Sequence, residues 1–397
     1  MRAPVLTIFY QFNPWNSTIG GIQTIIKYFI KYAPSEFEIR LVGTGNEPKK
    51  PTGHWYEAEL DGRELMFLPL LNLEDDNVRR RVPTTLKYTA ALLGRNYASD
   101  FMHFHRLEPT LAAVPWAGDK TLFIHNDIHQ QMTSGENKKA ILWRHLPQAY
   151  FALERSLVGQ FSQILSCNSD SVKLYQQLYP KVADRVAYVR NPVDNEVFYP
   201  LSKEEREQRR IELAKQLRLP DTTRFILFAG RLHPQKDPLL LVRSLATLNE
   251  PDVHLLIAGA GELSSQLEAE ITQLELSDRV SMLGSIDQAS LANLHRLCSI
   301  FVLSSAYEGL PLVVLEALAC GTPVVTTRCG ETPNLLADDS GVVCEERTPT
   351  AIASAMRRVL FNPDDYPSEA CVQTAKPYGA RHVISDVYSE MLKRWKP

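Results

Sequence analysis

Eleven short runs of β-branched, aromatic and aliphatic residues, each trailed by a longer helix-patterned stretch, limit what this chain can become. In the first half they are "VLTIFY" (5–10), "FEIRLVG" (37–43), "DFMHFH" (100–105), "KTLFIH" (120–125), "QILSC" (163–167) and "RVAYV" (185–189). In the second they are "RFILFAG" (224–230), "VHLLIAG" (253–259), "RVSMLG" (279–284), "IFVLS" (300–304) and "TPVVTT" (322–327). Most are apolar on both faces, as strands of a parallel sheet covered by helices must be. Strand–helix alternation in both halves predicts two doubly wound α/β domains, and 397 residues exceed what one core usually serves. The break falls in "VRNPVDNEVFYP" (189–200), where two prolines and a Val-Asp-Asn turn interrupt the pattern. A charged surface helix is expected over 202–219 and another helix over 378–395. The expected domains are 1–192, joined by a C-terminal helical segment 373–397 that folds back, and 193–372.

A net charge of −3 is not that of a nucleic-acid binder. The charge is uneven: residues 1–200 carry 22 Lys/Arg against 20 Asp/Glu, so the acidic excess lies in the second half. The six cysteines (167, 298, 320, 329, 344 and 371) show neither CxxC pairs nor zinc spacing, which suits free thiols in a reducing cytoplasm. The N-terminal apolar run reads as a first strand and not a signal peptide. No run is long enough to cross a bilayer.

Polar groups that apolar patterning does not explain are the place to look for chemistry. In "YEGLPLVVLEALACGTPVV" (307–325), Glu308 and Glu316 stand eight apart among apolar and small residues. Pro311 fits the first position of a helix, Gly321 its left-handed terminator, and Pro323 follows the stop. Glu308 then lies in the loop before the helix and Glu316 in its second turn. Ligands of open α/β sheets sit beyond the carboxyl ends of strands, where the N–H groups near 309–312 would attract phosphate oxygens. Glu316, on a helix apolar all round, needs donors such as a pair of sugar hydroxyls; a buried Glu–Arg pair with an ordinary loop carboxylate is the plain alternative.

In "FAGRLHPQKDP" (228–238), Arg231 and Lys236 follow a strand end, an arrangement suited to a diphosphate or, more simply, to a solvated turn. Gly20 and Gly21 in "NPWNSTIGGIQTII" (13–26) open an amphipathic helix and would admit a close phosphate or sugar, or merely make a tight turn; the motif is not GxGxxG. In "FIHNDIHQQ" (123–131), His125 ends a strand, as structural hydrogen-bonding histidines often do, and Asp127 and His129 follow.

Taken together and in this order, these stretches resemble the retaining glycosyltransferases of family 4, the glycosyl transferases group 1. The E-x7-E of Glu308 and Glu316 is the most specific element, then "GRLHPQKDP", "NPVDNEVFYP" and the Gly-Gly loop. The resemblance implies the GT-B architecture: two Rossmann-like domains facing a central cleft, with a C-terminal helix crossing back to the first. It implies that Arg231 and Lys236 bind the donor diphosphate, Glu316 the ribose, and Glu308 the donor sugar beside the backbone of Gly309, Leu310, Pro311 and Leu312. Gly20 and Gly21 would close over the diphosphate, and His125 would touch the sugar near the anomeric carbon. Asp127 and His129 would face the acceptor, although Asn126 interrupts the commoner His-Asp wording.

The activity so implied is transfer of a hexose from a nucleotide diphosphate sugar, UDP by family frequency, to a saccharide or lipid-linked acceptor. Cell-surface polysaccharide, lipopolysaccharide or glycolipid synthesis is the expected setting. Retention of configuration comes from the resemblance alone. No cofactor and no metal are expected, since fixed cations would carry the leaving charge and "LEDDN" (73–77) reads as a solvated loop. A nucleotide-sugar 2-epimerase and a non-catalytic nucleotide-sugar-binding protein share the architecture and are the alternatives. The protein would be cytoplasmic. The basic stretch 77–97, with Leu86, Ala90, Leu93 and Tyr97 on one helical face, suits either packing on the core or peripheral contact with an anionic membrane.

Overall fold

The computed structural model describes residues 2–16, 20–73, 82–125 and 146–395. Asp127, His129 and the first part of the basic stretch lie outside the described residues. The chain folds as two compact units, Met1–Pro192 with Ala380–Pro397, and Val193–Gly379.

The first unit is built on eight strands: β1 (Val5–Phe9), β2 (Glu38–Gly45), β3 (Tyr56–Leu60), β4 (Arg63–Asn72), β5 (Phe101–Phe104), β6 (Asp119–Ile124), β7 (Gln163–Ser166) and β8 (Val186–Tyr188). They lie side by side in the order β3-β4-β2-β1-β5-β6-β7-β8. Neighbours are parallel except β3 and β4, an antiparallel hairpin at the edge that strand patterning had not anticipated. Asp61 and Gly62 turn that hairpin with φ of 50° and 78°, the left-handed pair a two-residue turn requires.

The helix Ala380–Arg394 belongs to this unit. The Tyr388 hydroxyl donates to the Phe29 carbonyl at 2.8 Å, its ring meets Phe37 edge-on, and Arg394 pairs with Asp119 at 2.7 Å. The return to the first unit falls after Gly379, not near 373. The helix Ser368–Ala375 stays in the second unit, where it buries Cys371 and Ala375. Val193 donates from its backbone N–H to Tyr378 and bridges Gly379, so the outgoing and returning strands of chain are pinned together.

The basic stretch contains the helix Thr84–Leu92. It turns Tyr88, Thr89 and Leu92 to the core, with the Tyr88 hydroxyl on the Val42 carbonyl at 2.6 Å. The face expected from spacing is not the packed one: Ala90 and Leu93 are exposed, and Tyr97, beyond the helix end, packs on Trp55 and Trp116. Aromatic volume and a carbonyl acceptor at Val42 decide the orientation over the helical spacing of smaller residues.

The second unit has six strands, β9 (Arg224–Ala229), β10 (Val253–Ala258), β11 (Val280–Gly284), β12 (Ile300–Leu303), β13 (Val324–Thr327) and β14 (Gly341–Cys344). All are parallel, in the order β11-β10-β9-β12-β13-β14. β14 was not anticipated; four residues directly after Asp338, Asp339 and Ser340 carry little pattern. The chain starts at β9, winds outward through β10 and β11, then returns to β12 on the other side of β9. The carboxyl ends of β9 and β12 thus flank the point where winding reverses, the place where open α/β sheets bind ligands.

Tyr388 seals the first unit with both a ring and a hydroxyl. Tyr388→Ala should cost about 3 kcal/mol or more, the order for deleting a buried aromatic ring. Tyr388→Phe should cost about 1 kcal/mol, the worth of one hydrogen bond. Urea denaturation of the two variants should show that ranking.

Candidate functional site

The turn after β9 owes its shape to backbone bonds that its sequence permits. Gly230 and Leu232 donate to the carbonyls of Ala258 and Ala260, and Lys236 and Asp237 donate to His233. His233 is buried and its Nδ1 accepts from the N–H of Gln235 at 3.1 Å. Asp237 then starts the helix Pro238–Leu248. It sits in the left-handed region (φ 45°) and caps that helix by accepting from the N–H of Leu240. A residue other than glycine in this region is strained, and two partners hold it there. The Ser304 hydroxyl lies 2.9 Å from the carbonyls of both Lys236 and Asp237, and the Arg347 guanidinium pairs with the Asp237 carboxylate.

The loop after β12 is laced to that turn. Ala306 donates to the Gln235 carbonyl at 2.8 Å, and the Gln235 side-chain amide donates to Tyr307 at 3.0 Å. The lacing brings Lys236 Nζ to 2.7 Å from Glu308 Oε1. A third loop closes the other side, where Glu331 donates to the Gly309 carbonyl at 2.8 Å. Gly330 (φ 56°) lies so near that a Cβ there would come within 2.1 Å of Gly309 O.

Behind them lies the helix Leu312–Ala319. Pro311 is its N-cap and not its first helical residue: its ψ of 127° is extended, which moves the helix start to Leu312. The C-terminus closes as expected. Gly321 (φ 77°) and Thr322 donate to Leu318 and Ala317, the paired bonds of a Schellman stop. Glu316 occurs in the second turn and is 5% exposed, with no hydrogen-bond partner for Oε2 among the described residues. Burial raises its carboxyl from the usual 4.5 to about 8, against the pull of the nearby Lys236 ammonium. The structure therefore gathers Lys236, Glu308 and Glu316 at the switch point between β9 and β12. Arg231 begins the same turn, exposed. Among the described residues no arginine pairs with Glu316, as the plain alternative required.

In the first unit Gly20 is the N-cap of the helix Gly21–Lys31, and a Cβ on Gly21 would meet nothing within 4 Å. His125 follows β6, partly buried, with Nε2 at 2.8 Å from His105 Nδ1 and the two rings stacked 5.1 Å apart. Burial lowers His125 to about 3, helped by Arg106. His125 is thus half of a neutral imidazole pair, one ring donating and the other accepting. Among the described residues no group of three or more His, Cys, Asp or Glu is placed to hold a metal ion.

Sequence reasoning missed Ser304, Asp237 and Arg347. Asp237 follows Lys236 directly and could have been read as a helix cap before Pro238. Ser304 and Arg347 reach the turn from 67 and 110 residues away, a separation that carries no local signal.

Two units of parallel α/β sheet with charged loops at a switch point define a GT-B glycosyltransferase fold. Sucrose-phosphate synthase from Thermosynechococcus elongatus matches 99% of this chain and 100% of its own at a TM-score of 0.79 and 16% identity. WaaG, a glycosyltransferase involved in lipopolysaccharide biosynthesis, matches over 98% and 99% at 0.72 and 15% identity. Anabaena Alr3699/HepE, solved with UDP and glucose, matches over 99% and 100% at 0.71 and 16% identity. The model of the family described as glycosyl transferases group 1 matches residues 209–376, nearly all of the second unit. D-inositol 3-phosphate glycosyltransferase 2 of Catenulispora acidiphila is 30% identical over 67% of this chain and 65% of its own length. The enzyme named D-inositol 3-phosphate glycosyltransferase in Mycolicibacterium smegmatis is 27% identical over 58% of this chain and 52% of its own. The matched stretch thus spans between half and two thirds of these curated relatives.

Glu316 ties the site to pH. Its folded-state value of about 8 exceeds the unfolded 4.5, so the folded chain keeps a proton that the unfolded chain has released. That contribution favours folding at low pH and is lost as pH rises from about 4.5 to about 8. Glu316→Gln lacks the titration. Relative to wild type, it should gain more than about 1 kcal/mol of stability between pH 5 and pH 8. Denaturant titrations of both proteins at the two pH values measure the difference, in which all other groups cancel.

Proposed function

We propose that this protein is a nucleotide-sugar-dependent glycosyltransferase whose second unit holds the donor at the β9/β12 switch point. One observation carries the reading: a buried Glu308 carboxylate paired with half-buried Lys236, beside a buried Glu316 carboxyl whose Oε2 has no hydrogen-bond partner among the described residues, at the β9/β12 switch point. A diphosphate would be met by Lys236, by Arg231, and by the first N–H groups of the helix Leu312–Ala319 with those of Gly309 and Leu310. Ribose hydroxyls would give Glu316 the donors it lacks. Glu308 would lie against the transferred sugar. As the bond to the anomeric carbon breaks, negative charge grows on the leaving diphosphate, and Lys236 and Arg231 stabilise it in place.

Metal independence follows from assigning that charge to fixed cations. Retention is proposed through front-face attack, with the leaving phosphate taking the acceptor's proton, so Glu308 positions and stabilises and is not a nucleophile. A uridine diphosphate hexose is the proposed donor, since UDP and UDP-glucose occupy the Anabaena neighbour. The acceptor is proposed to be a saccharide or lipid-linked saccharide, with Asp127 and His129 as its candidate contacts. Inositol phosphate belongs in the same screen because the relatives are named for it.

Because Lys236 and Glu308 are paired, removing one strands the other and confounds activity with folding. Lys236→Met made together with Glu308→Gln strands no charge. It should slow transfer by about 100-fold or more with little change in unfolding midpoint. The assay is product formation from UDP-glucose over an acceptor panel, with and without EDTA, and NMR of the product's anomeric configuration. Conversion of donor with no acceptor present would identify an epimerase instead; donor binding without transfer to any acceptor would identify a binding protein.

Peripheral membrane contact is proposed for the exposed side of the helix Thr84–Leu92, where Ala90 and Leu93 lie among Lys87 and Arg95. Among the described residues no helix is long and apolar enough to cross a membrane. Co-sedimentation with anionic vesicles, lost at high salt and absent with neutral vesicles, is the expected result.

A further inference from the structure

We infer that the Glu308 charge weakens this site's hold on the free nucleoside diphosphate that transfer leaves behind, relative to the sugar-linked one, an inference resting on the donor site proposed above. The carboxylate is 6% exposed and lies 2.7 Å from the one ammonium in the turn. It cannot swing away with its backbone. Ala306 and Tyr307 are bonded to Gln235 on one side, Gly309 is bonded to Glu331 on the other, and Gly330 leaves no space between. Ser304 and Arg347 fix the facing residues Lys236 and Asp237 as firmly. Any phosphate that reaches Lys236 therefore comes within a few ångströms of a fixed negative charge.

The two ligands differ at that position. In a sugar diphosphate the terminal phosphate is esterified and carries one charge. In the free diphosphate it has a second ionisation near pH 6 and gains about one more negative charge by neutral pH. With the sugar attached, Glu308 faces hydroxyls and accepts their hydrogen bonds. With the sugar gone it faces the bare, doubly charged end. Repulsion between unit charges about 6–8 Å apart at an effective dielectric near 20 is enough to change a binding ratio by about tenfold or more. A cation-only site would do the reverse and hold the spent diphosphate more tightly than the donor.

Calorimetric titration of the full chain with UDP, UDP-glucose, ADP and ADP-glucose tests this. In Glu308→Gln the affinity for the free diphosphate, relative to its glucose ester, should rise about tenfold for whichever base binds. Glu308→Asp, which keeps the charge, should keep the wild-type ratio. As pH rises from about 5 to about 7.5 and the terminal phosphate ionises, that ratio should rise less in wild type and Glu308→Asp than in Glu308→Gln. A ratio that is unmoved in Glu308→Gln, or that changes with pH alike in wild type and Glu308→Gln, overturns the inference and leaves the donor site standing. Wild type that binds none of the four ligands overturns both.

Discussion

A lysine ammonium held 2.7 Å from a buried carboxylate, with a second buried carboxyl behind it, is the constraint around which the second unit is arranged. Charges removed from water need partners or they exact a large cost. Lys236 and Glu308 supply each other's charge, and three loops are laced together to hold them. Glu316 has no such remedy. It lies on a helix whose other members Leu312, Val314, Leu315, Ala317, Leu318 and Ala319 are buried and apolar, and it is left mostly protonated at neutral pH. A carboxyl at that position is a standing loss of stability unless something outside the chain supplies donors. The strained backbone of Asp237, held by Ser304 and Arg347, belongs to the same expense: it aims the lysine.

What the sequence made legible divides along physical lines. Central strands such as β9, β10 and β12 are apolar on both faces and stand out in any window, because a parallel sheet covered by helices allows nothing else. Glu308 and Glu316 stand out for the opposite reason, as charges where pattern demands none. The edge hairpin of β3 and β4 carried a readable signal that strand-hunting by apolarity passed over: "YEAEL" alternates, and an Asp-Gly turn follows it. An edge strand with one solvated face does not look like a buried one. β14 and the return at Gly379 had no comparable signal; the latter depends on where the helix Ser368–Ala375 finds a partner. The face of the helix Thr84–Leu92 was misjudged because spacing weighs all apolar residues alike, whereas the core took the large ring of Tyr88.

The first unit buries neutral groups at its strand ends. His103, His105 and His125 line the carboxyl ends of β5 and β6. Phe123 stacks on His105, and His103 has no hydrogen-bond partner at either ring nitrogen among the described residues. Burial is the main force lowering all three, His103 and His125 to about 3 and His105 well below the usual value. Their folded values lie below the unfolded ones, so their contribution to stability is present above about pH 6.5 and is lost as pH falls. Glu316 has the opposite sign, losing its contribution as pH rises.

The contrast assigns different work to the two sets of strand ends. A wall of neutral imidazoles and aromatic rings neither attracts nor repels a phosphate strongly, but His125 can present a ring nitrogen to a hydroxyl while His105 fixes its tautomer. The charged loops of the second unit hold fixed charge where a pyrophosphate is proposed to bind. In a transfer reaction these are separable demands: departure of an anion needs fixed charge, whereas recognition of a sugar hydroxyl needs neutral donors and acceptors held in place. Placing Glu308 on one sheet and His125 on the other avoids a direct cost. An imidazole beside Glu308 would be drawn toward its protonated form, and a cation beside His125 would add to the positive charge already facing it from Arg106.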